Sequence, residues 1–104
     1  MIRTIVESPY RGNVARNKAY LDRCLLDSLN RGESPIASHK IWPSILDDEN
    51  LEQRERGIEA GLAWVQVADL MVVYTDLGVS DGMENAMSRA RRYGVPIELR
   101  EIGK

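Results

Sequence analysis

Two hydrophobic periods alternate along the chain. Ile2-Arg3-Thr4-Ile5-Val6 is a β-branched run closed by Ser8-Pro9, the pattern of a strand running into a turn. From 13 to about 29 the apolar residues Val14, Leu21, Leu25 and Leu29 share one helical face, with Cys24 beside them. Asn13 stands where a cap is needed, and Arg31-Gly32 closes the helix. Pro35-Ile36-Ala37-Ser38 predicts a second, weaker strand, and 40–50 reads as a loop carrying Pro43 and the acidic pair Asp47-Asp48. A second helix is expected from about 51 to 67, with Leu51, Ile58, Leu62 and Val65 inward and Gly57 and Gly61, one turn apart, allowing close backbone approach. Leu70-Met71-Val72-Val73-Tyr74 is continuously apolar, as a parallel strand covered on both faces must be. A third helix, about 81 to 93, turns Met83, Ala86, Met87 and Ala90 inward and ends at Gly94. Val95-Pro96-Ile97-Glu98-Leu99 supplies the last strand, its Pro near the start where it costs least.

The resulting order, β-α-β-α-β-α-β, implies a four-stranded parallel sheet with right-handed crossovers and helices on both faces. With 104 residues the chain supports one domain, 1–104, since two cores would each be too small to fold alone. Lys and Arg number 14 against 16 Asp and Glu, so no basic footprint points to a nucleic-acid polymer. The longest apolar runs are too short to span a bilayer. Met1 opens directly into a strand with no signal-peptide pattern, so a cytoplasmic location is expected. One cysteine, Cys24, and one histidine, His39, exclude a disulfide framework and a Cys/His zinc site; no metal and no cofactor is expected. Phe is absent, so the core falls to Leu, Ile, Val, Ala and Met.

In such a sheet, ligands settle beyond the carboxyl ends of the strands where the strand order reverses. Three loops, 7–13, 38–50 and 75–84, can reach that place. The first offers Ser8, Tyr10, Arg11 and Gly12: a hydroxyl, a stacking ring, a guanidinium and a helix start, suited to a phosphate or carboxylate. The same residues also fit a plain strand-to-helix turn. In the third loop, Ser80 or Asp81 can cap the helix with Glu84 as the capping-box partner. Alternatively Asp76 or Asp81 binds sugar hydroxyls, Glu84 acts as nucleophile or acid/base group, and Gly82 admits a ligand to the backbone. In the middle segment, a lone histidine such as His39 is more often a structural hydrogen-bonder than a catalyst, and Trp42 either covers the core edge or walls a pocket. Arg54, Glu55, Arg56 and Glu59 read as a solvated face, and Arg89, Arg91 and Arg92 complement the dipole of the third helix.

Taken together, these loops give a chain that resembles the nucleoside 2-deoxyribosyltransferase-like superfamily, in particular its small, often phage-encoded members. The resemblance runs through Ser8-Pro9-Tyr10-Arg11-Gly12, Ser38-His39 with Leu46-Asp47-Asp48 and Arg54, Ala68-Asp69, Ser80-Asp81-Gly82-Met83, Ala90 and Gly94-Val95-Pro96. It implies a flavodoxin-like three-layer sandwich with a nucleoside or nucleotide pocket at the carboxyl edge of the sheet. It also implies breakage of an N-glycosidic bond by a Glu on the third helix, through a glycosyl-enzyme intermediate passed to a second base or to water. In members acting on 5′-monophosphates, an Arg and a Ser of the first loop hold the phosphate, roles that fall on Arg11 and Ser8. Counting from Gly82-Met83 puts the nucleophile at Glu84, whereas counting back from Gly94 puts it at Ala86. Those positions lie about 200° apart around a helix, so only one can face the pocket.

The expected site is therefore Glu84 and Asp81 as catalytic groups, with Ser8, Tyr10, Arg11, Gly12, His39, Trp42, Asp48, Asp76, Ser80, Gly82 and Met83 around the substrate. Three functions follow: a deoxyribosyltransferase or nucleotide N-hydrolase; a pocket without a nucleophile that senses or sequesters a nucleotide; or a structural subunit. The expected partners are a small nucleoside or nucleotide and further copies of the chain, with no nucleic-acid polymer and no membrane. Trp64 and Met87 are candidates for the interface of such a homo-oligomer.

Overall fold

A computed structural model describes residues 1–103; Lys104, the last residue of the expected domain, lies outside the described residues. Four strands, β1 (Ile2–Glu7), β2 (Glu33–Ile36), β3 (Leu70–Tyr74) and β4 (Ile97–Arg100), form one sheet in the order β2-β1-β3-β4, with every pair parallel. The helices are α1 (Val14–Asn30), α2 (Ser38–Ile41), α3 (Leu51–Ala63) and α4 (Asp81–Arg92). Short 3₁₀ turns follow α2 at Trp42–Ser44 and α3 at Val65–Val67. Strand order reverses between β1 and β3, which pair with Glu7 opposite Val73. The loops leaving those two strands therefore stand side by side at the carboxyl edge.

Side-chain alternation divides the interior into two layers. Val6, Val72 and Tyr74 meet Tyr20, Leu21 and Cys24 of α1 on one face. Ile5, Met71 and Val73 meet Leu62, Val65, Met83, Ala86, Met87, Ala90 and Val95 on the other, beneath α3 and α4. Met71 to Tyr74 are wholly buried, as the unbroken apolar run requires of a central strand. The expected α/β sandwich and its four parallel strands are thus present.

Several element boundaries and faces differ from expectation, each for a physical reason. On α1 the inward residues are Asn17, Tyr20, Leu21, Cys24 and Ser28, while Leu29 is 50% exposed. The face is rotated because two polar residues have partners inside. Asn17 donates to the carbonyls of Tyr10 and Arg11 at 2.9 and 3.0 Å, and Ser28 donates to Glu33 at 2.6 Å. β2 starts two residues earlier than the sequence pattern indicated, and Pro35 is tolerated because β2 is an edge strand. The expected loop 40–50 begins with the end of α2 and a 3₁₀ turn. α3 stops at Ala63; Leu51 is exposed, and Ile58 faces the open cavity instead of the core.

Gly61 is where α3 presses on α2: a Cβ there would lie 2.6 Å from the Ser38 Cβ, closer than carbon atoms can approach. At Gly57 a Cβ would meet Leu46 at 3.2 Å and Trp42 at 3.4 Å. The two glycines bring the 38–46 segment against the helix. Of the two residues expected at an interface, Met87 is 7% exposed and belongs to the core, whereas Trp64 is 55% exposed. Among the described residues no helix is long and apolar enough to cross a membrane.

A polar network is buried beneath α1. Arg100 of β4 donates to both oxygens of Glu33 on β2, at 2.9 and 2.5 Å, and to the Tyr74 hydroxyl at 3.2 Å. Tyr74 in turn donates to Asp27 at 2.7 Å, and Glu98 also pairs with Arg100. The Arg100 guanidinium holds the Glu33 carboxyl below its ordinary range, against the opposing effect of burial and with help from Ser28. Both edge strands are tied together by this bidentate pair.

Candidate functional site

A cavity of about 380 Å³ opens at the carboxyl edge, between the loop after β1, the 38–46 segment, α3 and the start of α4. That size lies within the usual range of small-molecule sites. At its rim, Asp48 is shared by two guanidiniums, with Arg11 Nε at 3.8 Å and Arg54 Nε at 3.7 Å. Two guanidiniums share that carboxylate and Asp81 lies on the same cavity, so the formal charges balance; both separations exceed hydrogen-bond length, so the guanidinium donors retain capacity for an anion. The start of α4 faces the same space through Ser80, Asp81 and Gly82, adding the positive end of a twelve-residue helix.

The aromatic wall comes from three elements. Tyr10 and His39 stack with ring centroids 5.0 Å apart and planes tilted by 38°. Trp42, half-buried, continues the wall toward Leu46 and α3. Burial lowers the His39 pKa below its ordinary value, with a hydrogen bond to the Ser8 backbone and the Asp48 charge opposing.

The floor carries a carboxyl. Glu7 ends β1 on the same face as Ile5 and contributes to the main cavity and to a hollow of about 20 Å³ behind it, bounded by Ile5, Ile36, Ile41 and Trp64. With such surroundings, burial pushes the Glu7 carboxyl up to about 8. Ala86 and Asn85 of α4 complete that end of the wall.

Tyr10, Arg11, His39, Trp42, Asp48, Ser80, Asp81 and Gly82 all reach the cavity. Five expected site residues do not line it. Asp76 is engaged elsewhere, accepting from the Tyr20 hydroxyl at 2.6 Å and from the backbone N–H groups of Ile102 and Gly103 at 3.0 and 2.8 Å. Burial alone would raise its carboxyl, but those bonds outweigh it and hold the group below its usual range. Met83 is in the core and supplies the capping contact expected of Glu84: its sulfur accepts from the Ser80 N–H at 3.3 Å, while the Ser80 hydroxyl accepts from the Met83 N–H at 3.2 Å. Glu84 is exposed on the outer side of α4, so the helix turns Ala86 to the cavity instead. Ser8 is buried and off the cavity wall, and its hydroxyl has no partner among the described residues. Gly12 sits in the exposed turn at φ +97°, a conformation that favours glycine, and shapes the loop without touching the cavity.

Sequence reasoning missed Glu7, Arg54 and Asn85 as wall residues. Glu7 was legible from parity, since it shares a strand face with Ile5. Arg54, Gly57, Ile58 and Gly61 follow the spacing of one helix face and together form the α3 side of the cavity.

Residues 3–100 match the family model described as a domain of unknown function (DUF7768). No curated protein matches the chain. Among solved structures the fold is similar to the 2-deoxyribosyltransferase of the psychrotolerant bacterium Bacillus psychrosaccharolyticus, described as a biocatalyst for the synthesis of antiviral and antitumoral nucleosides. The TM-score is 0.76 at 14% identity, over 97% of this chain and 74% of that one. The likeness is one of fold, and it agrees with a flavodoxin-like sandwich.

Proposed function

The chain belongs to the DUF7768 family, and we propose that it binds a nucleoside 5′-monophosphate in the cavity at the carboxyl edge of its sheet without cleaving it. The observation that carries this reading is the rim, where Arg11 and Arg54 share one carboxylate beside a helix N-terminus. A phosphate entering there gains two guanidiniums and displaces only long, solvent-screened contacts to Asp48. Tyr10, His39 and Trp42 then offer flat surfaces to a sugar or base. The nucleoside class follows from the likeness to the bacterial 2-deoxyribosyltransferase.

The reading without turnover is supported by α4. The helix presents Ala86, which has no functional group, and keeps Glu84 on its solvent side. One observation favours a second reading, cleavage of the N-glycosidic bond: the carboxyls of Glu7 and Asp81 do reach the cavity.

Calorimetric titration with 5′-monophosphates and the matching nucleosides tests the proposal, together with chromatography of the recovered ligand. Binding of the monophosphate, weakened about tenfold in Arg11→Ala as expected for one lost charge-assisted contact, with the ligand recovered intact, is the result predicted. No heat with any nucleotide would end the binding reading; release of free base would replace it with the enzymatic one.

A further inference from the structure

We propose that Asp48 is an internal competitor of the ligand's phosphate. Its carboxylate takes the two guanidiniums that the phosphate requires, so the rim admits a phosphate monoester and turns away a singly charged carboxylate. The inference rests on the nucleotide reading above and adds what selects the anion. Glu7, Asp48 and Asp81 are the carboxyls of the cavity, and among the described residues only Asp48 pairs with a cation there. Its two oxygens are divided: Oδ2 stands 3.8 Å from Arg11 Nε, and Oδ1 stands 3.7 Å from Arg54 Nε. Arg11 belongs to the loop after β1 and Arg54 to α3, so one carboxylate bridges two separate elements at the rim.

Asp48 has no part in holding its own loop. The Asp47 N–H donates to Gln53 Oε1 at 2.7 Å, and Asp47 accepts from the Glu49 N–H at its side chain and from the Asn50 N–H at its carbonyl, both at 3.0 Å. Asn50 then caps α3, its side chain accepting from the Gln53 N–H at 3.1 Å. The chain on either side of Asp48 is thus fixed by its neighbours. What the Asp48 side chain contributes is a charge set between two cations. All three groups are partly exposed, Arg11 by 61%, Arg54 by 33% and Asp48 by 37%, so the carboxylate can turn to water at little cost.

Binding of an anion is then an exchange. A ligand carboxylate carries the same single charge and the same two oxygens as Asp48, so replacing one by the other brings no net electrostatic gain. A phosphate monoester carries a charge of about −1.5 to −2 at pH 7 on three oxygens, which outweighs the carboxylate it displaces. Its oxygens can meet the guanidinium donors at hydrogen-bond distance, which the Asp48 contacts do not reach. Selectivity at the rim comes from a group that opposes the wrong ligand as well as from those that attract the right one.

The test is calorimetry at pH 7 and fixed salt with adenosine, adenosine 5′-carboxylate and adenosine 5′-monophosphate. The proteins are the wild type, Asp48→Asn, Arg11→Ala and the double variant, with folding checked by circular dichroism. The wild type should bind the monophosphate at least about tenfold more tightly than adenosine, and the carboxylate within about twofold of adenosine. Asp48→Asn keeps the shape and removes the charge; it should tighten both anions about fivefold and leave adenosine unchanged. In the Arg11→Ala background the gain from Asp48→Asn should shrink to about twofold, because one of the two contested cations is gone. Monophosphate binding that is unchanged or weaker in Asp48→Asn overturns the role of Asp48 while leaving nucleotide binding intact. So does an undiminished gain in the Arg11→Ala background, which marks simple charge repulsion, or a carboxylate bound by the wild type as tightly as the monophosphate. If neither the wild type nor Asp48→Asn binds the monophosphate, the nucleotide reading falls and this inference with it.

Discussion

Glu33 and Glu7 are two carboxyls on one small sheet, the first buried and the second on a cavity wall, with opposite environments. Glu33, under α1, receives two bonds from Arg100 and one from Ser28, and its carboxyl is held below the ordinary range. Glu7, on the face covered by α3 and α4, is displaced upward by burial alone. Every hydrogen-bonding position satisfied internally is unavailable to a ligand, whereas a carboxyl without an internal partner on a cavity wall is open to one. The α1 side is therefore architecture, and the α3/α4 side is where the fold leaves bonding capacity open.

The largest effect is expected on the saturated side. Arg100→Met strands the Glu33 carboxylate and should cost about 3–5 kcal/mol in urea unfolding. Adding Glu33→Leu to it should recover most of that loss; a cost below ~1 kcal/mol for Arg100→Met alone would mean the network is not structural. Next comes Gly61→Ala, whose Cβ meets Ser38 at 2.6 Å and should cost about 1–3 kcal/mol through overpacking, read as a lower Tm. On the open side, Arg54→Ala should weaken nucleotide binding by about 1.5 kcal/mol while leaving the unliganded Tm within error, since its pair with Asp48 is long and solvent-facing.

The two carboxyls also give opposite pH dependences of stability. Glu33 is more acidic folded than unfolded, so its contribution is present above the unfolded value of 4.5 and is lost as pH falls through the folded one. Glu7 is less acidic folded, so the native state binds the extra proton and stability declines as pH rises from 4.5 to about 8. Melting curves of wild type and Glu7→Gln should diverge across that window, with the variant the more stable above pH 8. Parallel curves would show that Glu7 is ordinarily solvated. The smallest effect belongs to Glu84→Gln, expected to change neither ligand affinity nor stability by more than ~0.5 kcal/mol, because the side chain lies on the outer surface of α4.

Periodicity in the sequence revealed what depends on apolar burial and little of what depends on internal polar bonds. β3 was legible because five apolar residues in a row demand cover on both faces, and α4 because Met83, Ala86, Met87 and Ala90 keep a strict helical spacing. The face of α1 was not, since nothing in the spacing of Asn17 and Ser28 tells a bonded polar residue from a solvated one. α2 has four residues, fewer than any periodic window can detect. At the site, residues of the strand-to-helix loops at the carboxyl edge, such as Arg11 and the α4 cap Ser80, reached the cavity as their positions suggested. Asp76 did not, because its partners are Tyr20 and the backbone of the 102–103 segment, contacts that only the folded chain reveals.

The most direct measurement is an NMR titration of the labelled protein with adenosine 5′-monophosphate at pH 7. Two-sided asymmetry predicts that the largest shifts fall on Glu7, Arg11, His39, the Trp42 indole and Asn85, with Ser28, Glu33 and Arg100 unmoved. Shifts centred on the α1 network, or none at millimolar nucleotide, would contradict it.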